Sequence, residues 1–428
     1  MLIAALAKGK STLQGVLFSD DSRYFMEALQ TLGFTVEINE ENKSVTIEGF
    51  GGEIPCIKRK NQKEFADLDT ISKEEKEIQN VEFDLERIEK NSTNDILENL
   101  EEIEVISKTE KINNTDKQNI EIDAEVYVGS AGTAARFLTA FLGLSKGRFR
   151  MNCSKQMQKR PMKELLIALE EMGTEIVYEE EPYHFPFVIG NFSCKKETVT
   201  IDVDKSSQFL SALLISSVLL PESFQIHVKG QHGMAYVQMT IRMMEQFGVT
   251  IATAFNGSYY RKSGTYFIGQ VYKIEPDISA ACYFYALSPL LKVAVKVRGV
   301  HMDCLQGDIK FLKVLHRMGC SFTDREDGVI MYPPQDCLFG GSFDLSSFSD
   351  QALTLAAIAP FASSKVCIMN VGHIRYQECN RIEAIVRNLN YMGILAICED
   401  NNIFILPGKP LATRIETYED HRVAMAFP

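Results

Sequence analysis

The chain has 428 residues, of which 45% are hydrophobic and 24% charged, and its net charge is −12. This length indicates two domains, and the acidic balance argues against a nucleic-acid surface and requires a local Arg/Lys cluster for any anionic ligand. No apolar stretch reaches the roughly 18 residues of a membrane span, and ten scattered cysteines without C-x-x-C spacing argue against zinc or dithiol chemistry. We therefore expect a cytoplasmic protein without a cofactor.

A short amphipathic segment recurs five times along the chain. Each copy has apolar residues at helical spacing, ends on a glycine of the kind that caps helices, and runs into a strand-like stretch. The copies lie at 25–33, 165–173, 241–248, 311–319 and 385–393. The last four closing glycines are 71 to 75 residues apart, whereas Gly33 and Gly173 are separated by 140.

A second type of helix lies between these copies and is apolar nearly all round, so it should be buried. Its copies begin at Gly132, Ser207, Ser279, Ser349 and Asp420, and residues 1–7 have the composition of the end of another copy. Each begins with a small or polar residue that could serve as an N-cap. The pattern predicts βαβ-like units of about 73 residues, too long for a solenoid repeat. Six units are expected, with the first and last incomplete, so the chain looks truncated at both ends.

The excess length falls at about 58–123. This stretch contains 19 Asp/Glu and 11 Lys/Arg, and its aromatic residues are Phe65 and Phe83. Such a composition cannot build a core. We predict a mobile acidic insertion on the surface, which is either a solvated segment or a site for a partner.

Polar motifs stand at the beginnings of the buried helices, where backbone N–H groups point outward and bind anions. They are Gly129–Arg136 (GSAGTAAR), Ser206-Ser207-Gln208, Asp350, the Arg375/Glu378/Arg381 triplet, and Asp420-His421-Arg422. Each has an ordinary explanation in helix packing, N-capping or surface ion pairs. Their recurrence at equivalent positions predicts one shared cleft. There Arg160, Arg381 and Arg422 suit a small molecule carrying phosphate and carboxylate, because arginine binds both bidentately. We find no P-loop, nucleotide fingerprint or metal signature.

Six motifs, in order, resemble those of the 5-enolpyruvylshikimate-3-phosphate (EPSP) synthase family. They are GSAGTAARFLTA, QKRPM, SSQFLSALL, SDQALTLAAIAPFA, RYQECNRIEAI and YEDHRVAMAF, and the likeness covers nearly everything outside 58–123. It implies an α/β (α+β) enolpyruvyl transferase fold with two pseudo-symmetric domains of three βαβ-type units each. The domain limits would be 1–272, including the insertion, and 273–428.

The resemblance implies a monomeric transferase of the shikimate pathway, and hence of aromatic amino-acid biosynthesis. It would move the enolpyruvyl group of phosphoenolpyruvate to the 5-hydroxyl of shikimate 3-phosphate and release phosphate, without metal or cofactor. Asp350 would be the base and Glu378 the acid, although the division of roles between them is open. The implied shikimate 3-phosphate ligands are Ser206, Ser207, Gln208, Tyr236, Asp350 and Gln377. The implied phosphoenolpyruvate ligands are Gly132, Arg160, Gln208, Arg381 and Arg422.

Four features depart from the family pattern. The family's N-terminal Lys-Ser-x-x-Asn-Arg loop and its C-terminal lysine segment are not in this sequence. Gln377 stands where the family commonly has lysine, and Gly233 replaces a serine in the substrate loop. Since both segments would bind phosphorylated substrates, residues 1–428 alone are expected to turn over slowly or not at all.

Two alternative interpretations remain open. UDP-N-acetylglucosamine enolpyruvyl transferases share the fold and chemistry and use a reactive cysteine, for which Cys153 is a candidate. The SSQ, ECNR and DHR motifs favour the EPSP synthase family over them. A degenerate relative that binds ligands or partners without catalysis is the other alternative, and the retained Asp350, Glu378 and three arginines argue against it.

The composition of the insertion leads to a direct test. Deletion of residues 58–123 should leave the thermal midpoint nearly unchanged, because a solvated segment contributes no buried apolar surface. Differential scanning calorimetry of the shortened and full chains measures the difference. A loss above roughly 2 kcal/mol, the scale of a core truncation, would mean that the segment packs against the rest.

Overall fold

The computed structural model describes residues 1–57, 121–231 and 233–427, so the acidic segment predicted at 58–123 lies almost wholly outside them. The interpretation of that segment as a surface insertion therefore stays a prediction. The fold set out below is that of residues 1–55 and 122–428, which cluster as one unit.

Up to residue 273 the fold contains twenty helices and strands within the described ranges. They are α1 Leu2–Leu6, β1 Ala7–Gln14, α2 Asp20–Thr31, β2 Val36–Asn39, β3 Ser44–Phe50, β4 Ala124–Tyr127, α3 Gly132–Gly143, β5 Arg148–Asn152, α4 Lys155–Gln158, α5 Lys163–Met172, β6 Glu175–Tyr178, β7 Phe187–Gly190, β8 Thr198–Asp202, α6 Gln208–Ser216, β9 Gln225–Lys229, α7 Met234–Gln246, β10 Thr250–Thr253, β11 Tyr259–Ser263, β12 Phe267–Ile268 and β13 Val271–Lys273.

The remaining elements are α8 Ile278–Leu291, β14 Val295–Lys296, α9 Phe311–Arg317, β15 Ser321–Arg325, β16 Gly328–Tyr332, β17 Gly341–Asp344, α10 Ala352–Ile358, β18 Val366–Met369, α11 Arg381–Tyr391, β19 Ala396–Glu399, β20 Asn402–Ile405 and α12 His421–Ala426. Buried apolar residues between Ile278 and Phe427 form one continuous core. None of the helices in the described ranges is long and apolar enough to cross a membrane.

Three of the sheets share one topology, which confirms the predicted βαβ units. Their strand orders are β4-β5-β7-β6, β10-β11-β9-β8 and β17-β18-β20-β19. In each, the first two strands in sequence are parallel and the rest of the ladder is antiparallel. A parallel pair needs a crossover connection, and a buried helix, α3, α6 or α10, supplies it each time. An amphipathic helix then leads into the antiparallel hairpin.

The amphipathic helices end where the glycines predicted. Gly33, Gly173, Gly248, Gly319 and Gly393 all have positive φ, between 76° and 112°, a conformation that strains any residue with a Cβ atom. Four of the five helices begin earlier than the apolar pattern showed, whereas α9 begins at Phe311 as predicted. For example, α2 begins at Asp20 because the Ser19 hydroxyl accepts a hydrogen bond from the Ser22 N–H at 3.4 Å.

The predicted N-caps of the buried helices are only partly correct. Asp420 caps α12 with its side chain, but α8 begins at Ile278 and is capped by Asp277 rather than Ser279. Ser207 and Ala131 give no side-chain cap to α6 and α3. Residues 349–351 form a 3-10 turn before α10. The starts of α3, α6, α10 and α12 contribute residues to the cavity described next, whereas none of the residues at the start of α8 lines it.

Candidate active site

A cavity of about 480 Å³ lies at the starts of several of these helices, among elements from both halves of the sequence. All the predicted site residues except Gly132 line it: Arg160, Ser206, Ser207, Gln208, Tyr236, Asp350, Gln377, Glu378, Arg381 and Arg422. The repeat pattern therefore accounts for much of this clustering, because the starts of four repeated buried helices, α3, α6, α10 and α12, contribute residues to the same cavity.

Arg381, the first residue of α11, is the most connected side chain of the cavity. Its guanidinium donates to Asp420 Oδ2 at 2.7 Å, Asp350 Oδ1 at 3.0 Å and Glu378 Oε2 at 2.6 Å, and also to Gln377 Oε1. The side chain is only 2% exposed. Burial opposes the charged form, but the three carboxylates outweigh it and raise the pKa of Arg381 above its ordinary value. It therefore stays charged at any physiological pH.

Asp350 lies between two guanidinium groups. Its Oδ1 accepts from Arg381, and its Oδ2 is 3.0 Å from Arg422 Nη2. Burial favours the neutral acid, yet Arg422 and Arg381 hold the pKa of Asp350 below its usual range. Without a ligand the carboxylate is consequently ionised and its oxygens are occupied by arginine donors.

Glu378 bridges arginines from the two halves of the sequence. Arg160 Nη2 donates to Glu378 Oε1 at 3.3 Å, while Arg381 holds Oε2. Arg160 also donates to the carbonyl of Ser130 at 3.4 Å. Glu378 and Asp350 are thus linked through Arg381 into one chain of alternating charges.

Gly132 does not line the cavity but lets two guanidinium groups approach the start of α3. A Cβ atom at this position would lie 2.6 Å from Nη1 of both Arg136 and Arg160, closer than real Cβ atoms come. The space above the glycine is therefore filled by arginine rather than by a side chain of its own.

Ser206, Ser207 and Gln208 lie at the start of α6. The Gln208 amide group accepts from Arg136 Nη1 at 2.9 Å and donates to Thr133 at 3.2 Å. The Tyr236 hydroxyl is buried and has no hydrogen-bond partner among the described residues. Burial, with Asp350 and Asp308 nearby, raises the pKa of Tyr236 well above its usual value, so its proton is available for a bound oxygen.

Gln377 connects Asp350 and Arg381. Its Nε2 donates to Asp350 Oδ1 at 3.4 Å, and its Oε1 accepts from Arg381. A lysine at this position could not accept a hydrogen bond from Arg381, so the glutamine alters the network and not only the charge.

Several site residues were missed by the sequence reasoning. Arg136 is 2% exposed and bonds to the carbonyls of Gly132 and Pro161 as well as to Gln208, and burial, with Arg160 nearby, lowers its pKa to about 9. One charged residue within an otherwise apolar helix was a signal that could have identified it. The other polar lining residues outside the predicted ligand sets are Asp21, Thr133, Lys205, Ser211, Thr240, His373, Tyr376 and His421.

Cys153 lacks the properties of a reactive nucleophile. Its thiol is partly buried and lies 3.4 Å from the Ser154 carbonyl, and burial raises its pKa to about 12. Since the thiolate is the nucleophile, this environment gives no support to the cysteine-dependent alternative. No group of His, Cys, Asp and Glu side chains suited to a metal ion occurs in the ranges 1–57, 121–231 and 233–427.

Asp308 is a second buried carboxyl group beside Asp350, and no sequence pattern indicated it. It is 3% exposed and accepts a hydrogen bond from Gln351 Nε2 at 2.8 Å. Burial, followed by the charge of Asp350, raises the pKa of Asp308 to about 6 against the opposing effects of Gln351, Arg422 and Ser279. Ionisation of Asp308 therefore costs stability in the folded protein.

We expect Asp308→Asn to gain stability relative to the parent chain as pH rises from about 4 to about 7. The folded parent binds the Asp308 proton more tightly than the unfolded chain does, so its free energy of unfolding falls through this range as the group ionises. Asparagine has no such proton to lose. Urea unfolding across the range measures the difference between the two proteins.

Asp344→Asn is the matched control for this experiment. Burial opposes ionisation of Asp344, but hydrogen bonds from Ser346 and Asn370 hold its pKa below the usual value. Its removal should give a difference of the opposite sign, since a depressed pKa contributes stability that is lost on acidification. A pH-independent difference for Asp308→Asn would contradict the pKa of about 6.

Comparison with known proteins gives one consistent family. The profile of "EPSP synthase (3-phosphoshikimate 1-carboxyvinyltransferase)" matches residues 1–64 and 68–428. The 3-phosphoshikimate 1-carboxyvinyltransferase of Nostoc punctiforme is 32% identical over 428 residues, which are all of this chain and 85% of that protein. The 3-phosphoshikimate 1-carboxyvinyltransferase 2 of Halalkalibacterium halodurans is 30% identical over 433 aligned positions, covering 100% of this chain and 81% of that protein.

Solved structures agree on the fold. EPSP synthase from Acinetobacter baumannii superimposes with a TM-score of 0.68 at 20% identity, covering 99% of this chain and 84% of that one. The ordered motifs, the repeated sheet topology and the profile match over nearly the whole sequence lead to one conclusion: the chain belongs to the EPSP synthase (3-phosphoshikimate 1-carboxyvinyltransferase) family of enzymes.

Proposed function

We propose that this chain transfers the enolpyruvyl group of phosphoenolpyruvate to the 5-hydroxyl of shikimate 3-phosphate and releases phosphate. The observation that carries the proposal is the alternating charge network of the cavity. Two carboxylates, Asp350 and Glu378, are each held between two arginines inside a space of about 480 Å³. The family assignment then selects the reaction that this arrangement performs.

Phosphoenolpyruvate would occupy the arginine-rich part of the cavity, against Arg160, Gln208, Arg381 and Arg422. Gly132, also in the predicted set, would act by leaving room for Arg160. The carboxylate of phosphoenolpyruvate is a planar oxyanion and its phosphate a tetrahedral one, and guanidinium groups bind both bidentately. In the ligand-free network these arginines contact carboxylates instead. Binding is thus an exchange of anions: the substrate takes over arginine donors, and Asp350 and Glu378 are released from part of their ion pairing.

Shikimate 3-phosphate would be bound by Ser206, Ser207, Gln208, Tyr236, Asp350 and Gln377. This set combines hydroxyl and amide donors with one carboxylate acceptor, which matches a ligand that has both a phosphate and free hydroxyls. The unpartnered Tyr236 hydroxyl described above supports the assignment, because a buried donor without a partner is costly unless a ligand satisfies it.

The chemistry requires an acid and a base on opposite sides of the reacting bond. Glu378 protonates the methylene carbon of phosphoenolpyruvate and makes its C2 electrophilic. The 5-hydroxyl oxygen attacks C2 while Asp350 accepts the hydroxyl proton, which gives a tetrahedral intermediate. Glu378, deprotonated by the first step, takes a proton back from the new methyl group as phosphate departs, which restores the double bond. The proton held by Asp350 leaves with the phosphate, so both residues return to their starting states and atoms and charge balance.

The exchange of anions also explains how a strongly paired carboxylate could act as a base. Arg422 and Arg381 keep the pKa of Asp350 low in the structure. When substrate oxyanions draw these guanidinium groups away, the opposing effect of burial dominates and the proton affinity of Asp350 rises. Proton transfer is then favoured only when both substrates are bound.

The proposal extends to the organisation and setting of the protein. It includes two domains, 1–272 and 273–428, that close on the substrates, supported by the continuous core from Ile278 to Phe427. It also includes a monomer in the cytoplasm, where the ten cysteines would remain reduced.

Asp350→Asn and Glu378→Gln should each lower kcat by about 10²–10⁴, the usual contribution of a general acid or base. Both substitutions keep the size of the side chain and remove its ability to carry the proton. The measurement is phosphate release from phosphoenolpyruvate plus shikimate 3-phosphate by the chain supplied with the family's two terminal segments, with calorimetric titration of each substrate to separate binding from turnover.

Asp344→Asn removes a carboxylate from outside the cavity and should leave phosphate release unchanged. Either site variant with parental turnover would remove that residue from the mechanism. A chain that neither releases phosphate nor binds shikimate 3-phosphate after addition of the family's two terminal segments would overturn the proposed function itself.

A further inference from the structure

The side of the cavity formed by Ser206 and Ser207, here called the serine side, offers hydroxyl donors. Gly233, next to it, contributes no side chain that could reach a phosphate. Gly233 precedes α7 with φ of 65°. A Cβ atom there would lie 2.4 Å from Ser207 Oγ, so the position supplies no side chain. A phosphate dianion bound by neutral hydroxyls alone would lack a counter-charge, which charge-assisted hydrogen bonds normally provide.

Five cationic side chains line the cavity within the described residues, and four of them are arginines that bind carboxylates, carbonyls or Gln208 at the site. Arg381 and Arg422 bind Asp350, Arg160 binds Glu378, and Arg136 is fixed by carbonyls and Gln208. The fifth is Lys205. It directly precedes Ser206 and Ser207 in the sequence, so it is the lysine positioned on the serine side.

Lys205 is charged and able to change partners. Its Nζ lies 2.8 Å from Glu164 Oε1, and its side chain is 48% exposed. The hydrogen bond to Glu164 raises the pKa of Lys205 above its usual value. A half-exposed ion pair contributes little to stability, and the flexible lysine stem allows Nζ to turn towards a dianion nearby.

Glu164 behaves as a counter-ion that can remain in place when the lysine turns. It lies in the first turn of α5, where a carboxylate is favoured by the helix dipole. Its Oε2 is buried and has no hydrogen bond within the part of the chain that the structure describes. The Lys205–Glu164 pair therefore resembles the arginine–carboxylate pairs of the cavity, in which a side-chain carboxylate holds a cation that an anionic ligand could bind instead.

We infer that Lys205 binds the 3-phosphate of the acceptor, exchanging Glu164 for the phosphate, and so selects phosphorylated over unphosphorylated acceptor. The inference rests on the proposed function and adds a residue that the predicted binding set did not contain. It assigns the charge recognition of this phosphate to a lysine next to the two serines.

Calorimetric titration with shikimate 3-phosphate and with shikimate tests the inference directly. Lys205→Gln should weaken binding of shikimate 3-phosphate about 10- to 100-fold, the scale of one charge-assisted contact, and leave shikimate binding unchanged. Lys205→Arg should retain most of the preference because it keeps the charge. Unchanged shikimate affinity also verifies that the variant is folded.

Glu164→Gln separates phosphate binding from a structural role of the ion pair. If the pair only stabilises the fold, both Lys205→Gln and Glu164→Gln should weaken the two ligands alike. If Lys205 binds phosphate, Glu164→Gln should instead maintain or strengthen binding of shikimate 3-phosphate, because a competing anion is gone. Lys229→Gln is the matched control, since Lys229 pairs with Asp202 at 3.2 Å and does not line the cavity.

Three outcomes would contradict the inference. Lys205→Gln might bind shikimate 3-phosphate like the parent, lose both ligands equally, or behave like Lys229→Gln. In these cases the proposed function stands if the parent still prefers the phosphorylated acceptor. A parent that shows no preference, or binds neither ligand, overturns the proposed function as well.

Discussion

The arrangement of the site depends on the buried guanidinium group of Arg381. Its side chain is 2% exposed and bonds to Asp350, Glu378 and Asp420. A buried cation is tolerated only when its donors are satisfied by anions with good geometry. Arg381 therefore ties the start of α11 to the turn before α10, through Asp350, and to the cap of α12, through Asp420. A shift of any of these helix starts would leave a charge without its partner.

The remainder of the cavity follows the same rule of charge exchange. The chain as a whole carries −12, so an anionic ligand is not attracted by the overall field. The cavity compensates by collecting arginines and one lysine around a few carboxylates that are already bound to them. Such a site is preorganised for oxyanions, because its cations are held in place before the ligand arrives. The cost of desolvating the cations is met in the folding of the protein rather than at binding.

The repeated sheet topology explains why residues far apart in sequence meet. In three of the sheets a buried crossover helix, α3, α6 or α10, follows the first strand and precedes its parallel neighbour. The residues at the starts of these helices therefore occupy equivalent positions. Gly132, Gln208 and Asp350 belong to such starts, and pseudo-symmetry turns three local motifs into one cavity.

The sequence by itself determined the helices, their glycine ends, the βαβ units and most of the site, because apolar periodicity, positive-φ glycines and polar helix starts are local signals. Tertiary structure alone decided which groups are paired. Asp308 and Lys205 stood in no recognisable pattern, since their properties come from neighbours distant in sequence: Asp350 and Gln351 for the former, Glu164 for the latter. Ser207 looked like a cap yet caps no helix with its side chain. Burial and charge pairing depend on all the residues that surround a group in the folded protein, so no local sequence pattern predicts them.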